Sequence, residues 1–331
     1  MFGITRRTLR IAIRAGIATL LITSSSVVVA NDDDYPNRSV RLIVPFPAGG
    51  ASDLMGRIMG EQLGKQLGQA FVVENKAGAG GIIGTSEVAR AKADGYTLLL
   101  SGIGSNAILH GYKPAPKYDS KKDFVHISQL AAGPNVFVVH PSFPAQNFQE
   151  FIAYAKENPG VFNYGQVNAS SGHLSSEYLK QAAGIDIVGI PYSGSAPALT
   201  DVLSNQISGM FTNQDSVYPY VQSGRLRALA VTGAERNPLF PDVPTVAESG
   251  YPGFQAVSWF GLSAPAGTPQ VVLDKLEKAM QQGFADPAVR SRLEQLGFAV
   301  VASNSQDFSA FVSQEIDHWM EVIRASGIQF D

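Results

Sequence analysis

"RLIVPFPAGGASDLMGRIMGEQLGKQL", Arg41 through Leu67, opens as an apolar strand, breaks at two prolines, turns through two glycines and closes as a helix. Arg41 to Val44 form the strand, and Pro45 and Pro47 end it because proline cannot donate to a ladder. Gly49 and Gly50 permit positive φ or close backbone approach, and Ser52 or Asp53 is expected to cap the helix. Met55, Met59, Leu63 and Leu67 recur every four residues beside Leu54 and Ile58, an apolar stripe that packs on a sheet. Such a turn aims free backbone N–H groups and the positive end of a helix dipole at whatever lies over it, which suits an anion. The alternative for Ala48, Gly49 and Gly50 is a tight turn that serves packing alone.

Outward from this stretch the pattern repeats. Ala70 to Glu74 is a second strand, followed by a helix whose mouth is crowded by Gly78, Gly80, Gly81 and Gly84. Tyr96 to Leu100 is a third strand, ending in the polar turn Ser101 to Asn106. Three units of strand, glycine turn and helix indicate a parallel α/β sheet, with a ligand crevice beyond the carboxyl ends of its strands. A long extended segment, Ile127 to His140, leads to a second series. There, "FNYGQVNASSGHLSSEYLKQAAG" reads as strand, loop and a helix starting at Ser170 or Ser171. Ile187 to Ile190, "ISGMF" and "LRALAVT" are further strands, and Ser193 to Ser195 and Asn213 to Asp215 are polar turns that can wall a pocket. The chain leaves one lobe near residue 132 and returns near 256. This predicts lobe 1 from residues 31–132 plus 257–331, and lobe 2 from residues 133–256, joined by two crossing strands that can hinge.

Composition bounds the function. The chain has 331 residues, 45% hydrophobic and 16% charged, enough for one large or two ordinary domains. Arg6, Arg7, Arg10 and Arg14 flank an apolar stretch ending at Ala30, with no acid before Asp32, the pattern of a signal peptide cleaved after Ala30. The Arg6–Arg7 pair leaves the twin-arginine and Sec routes both open. The stretch is too short and too polar to span a bilayer. Removing its four arginines takes the formal charge from −3 to −7, so nucleic acid is an unsuitable partner. The chain has no cysteine, which excludes disulfides, thiolate catalysis and cysteine-held metal.

The succession "YPNRSVRLIVPFPAGGASD", "VVENKAGAGGIIGTSEVARAKADGYTLL", "PYSGSAPALTDVL", "GRLRALAVTGAERNPLFPDVPTVAESGYPGF" and "FGLSAPAGTP" resembles the solute-binding proteins of tripartite tricarboxylate transporters, the Bug family, over essentially the whole mature chain. The resemblance implies an α/β, two-lobed periplasmic binding protein of type II topology. Such a protein closes, as a monomer, around a small organic carboxylate, a di- or tricarboxylate or an aromatic acid, and delivers it to the permease subunits of the transporter. It implies that one loop from each lobe grips the carboxylate, here Phe46 to Asp53 and Val167 to His173. Two departures stand out: "QVNASSG" carries less glycine than relatives have, and Thr212 replaces a frequent aspartate.

The candidate ligand-binding residues are thus Phe46, Ala48, Gly49 and Gly50 in the first loop, and Asn168, Ala169, Ser170 and Ser171 in the second. Ser193, Gly194, Asn213 and Asp215 complete the expected wall. Neither loop contains Arg or Lys, so the clamp is expected to consist of neutral donors. Asp53 suits a helix cap better than a contact, since a carboxylate repels an anion. Gly78, Gly80 and Gly84 have the spacing GxGxxxG, which does not match a dinucleotide fingerprint. His173 beside Ser171 raises an alternative, an exported hydrolase or isomerase on the same fold, but no GxSxG elbow exists. The five histidines lack metal-ligand spacing, and no cofactor or metal is expected. Trp259 and Trp319 read as core.

Overall fold

β1 (Val40–Val44) is covered on both faces, which explains its run of aliphatic residues: Val40, Leu42, Ile43 and Val44 are fully buried. The computed structural model describes residues 34–326, within one compact unit; the expected export signal lies outside the described residues. β1 turns into α1 (Ala51–Leu67), and β2 (Phe71–Asn75), α2 (Ile82–Ala89), β3 (Thr97–Gly102) and the single turn α3 (Ile103–Asn106) follow. Parallel pairing of β1 with both β2 and β3 sets the turns after them along one edge of the sheet. Met55, Ile58, Met59 and Leu63 form the buried stripe of α1, with Leu67 half-buried at its end. Gly56 lets the helix approach closely, since a β-carbon there would fall 2.6 Å from a Val44 methyl.

β4 (Phe124–Val139) is a single strand of sixteen residues that serves two halves of the sheet. After it come α4 (Phe148–Glu157), β5 (Asn163–Val167), α5 (Ser171–Ala183), β6 (Val188–Tyr192) and α6 (Ser195–Leu203). Then follow β7 (Gly209–Asn213), α7 (Gln214–Gln222), β8 (Arg227–Val231) and β9 (Val257–Pro265). The last elements are α8 (Gln270–Ala285), α9 (Pro287–Gln295), β10 (Ala299–Val300) and α10 (Ser305–Ser326).

The strand order in one half is β2-β1-β3-β9-β4, and in the other β6-β5-β7-β4-β8. Both halves therefore repeat one plan, in which a strand arriving from the opposite half is inserted beside the third parallel strand. β4 changes partner within two residues: Pro134 is the last to pair with β9, and Asn135 the first to pair with β7. The parallel pairing expected of the first three strands is present among β1, β2 and β3, and the antiparallel pairs belong to the crossing strands. β3–β9 and β4–β7 are antiparallel because the crossing strands enter their second half from its far end.

Each half has its own apolar core. In the first, α1 and α8 meet the sheet through residues such as Met55, Leu63, Leu262, Leu276 and Met280. In the second, Phe137 lies with its ring centroid 4.6 Å from those of both Phe151 and Phe211, in the range of favourable aromatic pairs. A further cluster joins Leu174 of α5 to Ile103, Ile108, Trp259 and Trp319. Both tryptophans are buried as expected, and both indole N–H groups donate to the Glu315 carboxylate.

Candidate functional site

The turn after β1 keeps its shape through its neighbours. The Asn75 amide donates to the Phe46 carbonyl at 3.0 Å, and Gly49, at φ +88°, donates its N–H to the Asp53 carboxylate at 3.1 Å. Gly50 is the N-cap of α1 and provides no side-chain acceptor, which corrects the assignment of the cap to Ser52 or Asp53. The reason is local: the Asp53 carboxylate is drawn back to Gly49 and forward to Arg57, 3.0 Å away, one helical turn on. Burial raises the Asp53 pKa, but the hydrogen bonds from Arg57, Gly49 and Asn75 outweigh it and hold the group below its ordinary value. The first-turn N–H groups of α1 are left for the cleft.

A cavity of about 100 Å³ lies over this turn, walled by both halves of the sheet. The first half contributes Phe46, Pro47, Ala48 and Gly50 to Ser52 from the β1 turn, and Gly102 to Gly104 from the β3 turn. The second contributes Val167 and Ala169 to Ser171, Ser193 to Pro197, and Asn213. Ser258, Trp259 and Phe260 of β9 form the floor. Four helices present their N-termini here: α1 at Gly50, α5 at Ser170, α6 at Gly194 and α7 at Asn213. Only Ser170 spends its side chain on its own cap, accepting the His173 N–H at 3.1 Å. Not one of the lining residues is ionisable. The field in the cavity is therefore that of helix ends, each equivalent to about half a positive charge, in a partly dry space where such charges are weakly screened.

A chain of polar side chains runs beneath the cavity at the crossing of the halves. The Asn213 amide donates to the Ser258 hydroxyl at 2.7 Å, which meets the Ser171 hydroxyl at 2.6 Å, and Ser171 donates to the Asn135 side-chain Oδ1 at 3.1 Å. This consumes the Ser171 hydroxyl internally, so it faces the cavity with its backbone N–H. The Ser170 hydroxyl keeps its proton for a guest.

Of the residues expected to bind a ligand, Phe46, Ala48, Gly50, Ala169, Ser170, Ser171, Ser193, Gly194 and Asn213 border the cavity. Gly49, Asn168 and Asp215 do not. Gly49 faces α6, where its β-carbon would lie 3.9 Å from that of Ala196, and the Asn168 side chain is turned to Gln166. Asp215 sits two residues beyond Asn213, and the helical rotation carries it into a separate groove with Asp53 and Arg57. Burial pushes its pKa up to about 6. Thr212 lies buried on β7, behind Asn213. Ser258, Trp259 and Phe260 were legible only as a returning strand; the available signal was that a strand crossing between halves must pass under the cleft. The wall also includes Gly102 to Gly104, within the Ser101 to Asn106 turn singled out above.

Two α/β halves of one strand plan, joined by crossing strands around a cleft of helix N-termini, define a two-lobed periplasmic binding protein of type II topology. Comparison with known proteins then names the family: the chain belongs to the tripartite tricarboxylate transporter family receptors, whose description matches residues 55–328. It is similar to the structure of the periplasmic binding protein BugD, with 38% identity and a TM-score of 0.84 over 89% of this chain and 99% of that one. A Rhodopseudomonas palustris protein solved with adipate is 34% identical, with a TM-score of 0.84 over 89% and 99% of the two chains. MatC of the same organism, solved with malate, is 32% identical, with a TM-score of 0.83 over 87% and 100%. These are solute-binding receptors, and the chain is a receptor rather than an enzyme, which removes the hydrolase or isomerase alternative.

Proposed function

We propose that this protein captures a small organic carboxylate in the periplasm, closes two lobes around it and hands it to the membrane permease of a tripartite transporter. The observation that carries this reading is the cavity itself, where four helix N-termini converge and no ionisable side chain intrudes. Backbone N–H groups and the Ser170 hydroxyl would grip one carboxylate from both sides. Residues 31–132 with 257–331, and residues 133–256, are the proposed lobes, hinged where β4 changes partner at Pro134–Asn135 and where the chain returns at Ala256. Malate and adipate, the dicarboxylates held by similar proteins, support a dicarboxylate of that size. Several charge-assisted hydrogen bonds of roughly 1.5–3 kcal/mol each, less ordering costs, give micromolar affinity, about −8 kcal/mol, tight enough to capture and loose enough to release.

Calorimetry with a panel of malate, succinate, adipate, citrate and benzoate tests this. At least one acid should bind one to one without turnover. Gly49→Glu, which pushes a carboxylate into the contact between Gly49 and Ala196, should abolish that binding, and Ser170→Ala should weaken it about tenfold. A panel without heat, or variants with undiminished affinity, would sink the reading.

A further inference from the structure

Ala169 has a backbone conformation that its side chain disfavours. It occupies the third position of a turn closed by the Ser170 N–H on the Val167 carbonyl, at φ +57°, in the left-handed region that turns of this kind reserve for glycine. The residue is fully buried, and Tyr112, Gly80 and Gly104 of the other half pack against it. The Tyr112 hydroxyl accepts the Ala169 N–H at 2.8 Å and pairs with His173 Nδ1 at 3.3 Å. Two glycines make room on the other sides: a β-carbon on Gly80 would fall 2.9 Å from the Ala169 methyl, and one on Gly104 would overlap the Ala169 carbonyl oxygen.

We propose that Tyr112, with Gly80 and Gly104, is a socket that receives Ala169 when the halves meet, and that Tyr112 is thereby a positioning residue for the first-turn amides of α5. Ser170 and Ser171, which border the cavity, follow Ala169 directly, so whatever fixes the Ala169 peptide fixes the direction of their N–H groups. The turn pays for its left-handed alanine with a hydrogen bond available only across the cleft. Separation of the halves removes that bond and frees the loop, so closure and preorganisation of the second loop are one event. Burial lowers the pKa of His173 to about 4, so its ring is neutral and Nδ1 can accept the tyrosine proton. The role rests on the carboxylate reading above, while the socket itself does not.

Tyr112→Phe removes one oxygen and leaves the ring. With malate as probe, the variant should bind about tenfold more weakly, through faster release at an unchanged association rate, because the socket forms only on closure. The unliganded protein should melt as the parent does. Hydrogen exchange at the Ala169 amide should accelerate about tenfold in the variant with malate, and less without it, where the halves meet only part of the time. Ala169→Gly, which removes the cost of positive φ, should restore part of the affinity in the Tyr112→Phe background. Parent-like release together with an Ala169 amide that exchanges equally in both proteins would overturn the proposal. If the parent protein takes up no malate, the carboxylate reading loses support and amide exchange alone decides the socket.

Discussion

Gly104 shows how much one hydrogen atom decides. Its α-carbon rests against the Ala169 carbonyl of the opposite half, while Gly194 faces Pro47, with a β-carbon there 3.2 Å from the ring. Side chains at such points would hold the halves apart without disturbing either core. Gly104→Ala is therefore expected to keep the circular-dichroism spectrum and most of the melting temperature, while carboxylate affinity falls at least tenfold; calorimetry that finds parent-like affinity would contradict this. Ser171 is instructive in another way. A serine in this loop invites reading as a ligand contact, yet its hydroxyl is committed to Asn135 and Ser258. That commitment depends on residues 36 and 87 positions away in the chain, which no local pattern announces.

At the scale of elements, β4 and α5 each carry a buried neutral histidine. His126 on β4 offers Nε2 to the Ser120 carbonyl at 2.9 Å and Nδ1 to the Ser263 hydroxyl at 2.8 Å, and burial lowers its pKa to about 4, as it does for His173 on α5. Between the ordinary value of 6.5 and about 4, the unfolded chain binds more protons than the folded one. The stability these two rings contribute is complete above pH 6.5, declines as pH falls through that window and is gone below 4. Asp215 works in the opposite sense: raised from 3.8 to about 6, it favours folding at low pH and loses that advantage as pH rises through 6. Two rings outweigh one carboxylate, so acidification from pH 7 to 4.5 should lower stability by an amount on the order of 2–4 kcal/mol. Urea titrations across this range should show the slope, and His126→Gln should flatten it; an unchanged slope in the variant would refute the assignment.

For the molecule as a whole, closure rests on uncharged contacts. Among the described residues, no ion pair of the structure crosses between the halves; the contacts are the apolar cluster of Leu174 with Ile103, Trp259 and Trp319, small side chains, and hydrogen bonds such as Asn213 to Ser258 and Tyr112 to Ala169. A guest bound to both sides would add what these contacts lack. A carboxylate at a hundred times its dissociation constant should stabilise the protein by about 2.7 kcal/mol, roughly 5 °C in melting temperature, and small-angle scattering should record a smaller radius of gyration. Stabilisation without compaction would place the guest on one half only and defeat the hinge.

The parts of this protein that its sequence determined by itself are those governed by near neighbours in the chain. The stripe of α1, the breaks at Pro45 and Pro47 and the recurring strand, glycine turn and helix follow from backbone chemistry over a few residues, and so the α/β plan was readable. The first loop was readable for the same reason, since helix N-termini expose donors wherever they occur. Tertiary structure alone decided which turns share a cavity, that Asp215 is rotated out of it, that β9 provides the floor, and that Tyr112 reaches Ala169. These depend on two crossing strands bringing distant segments to one place, and a contact made across half the chain leaves no periodicity in the order of its residues.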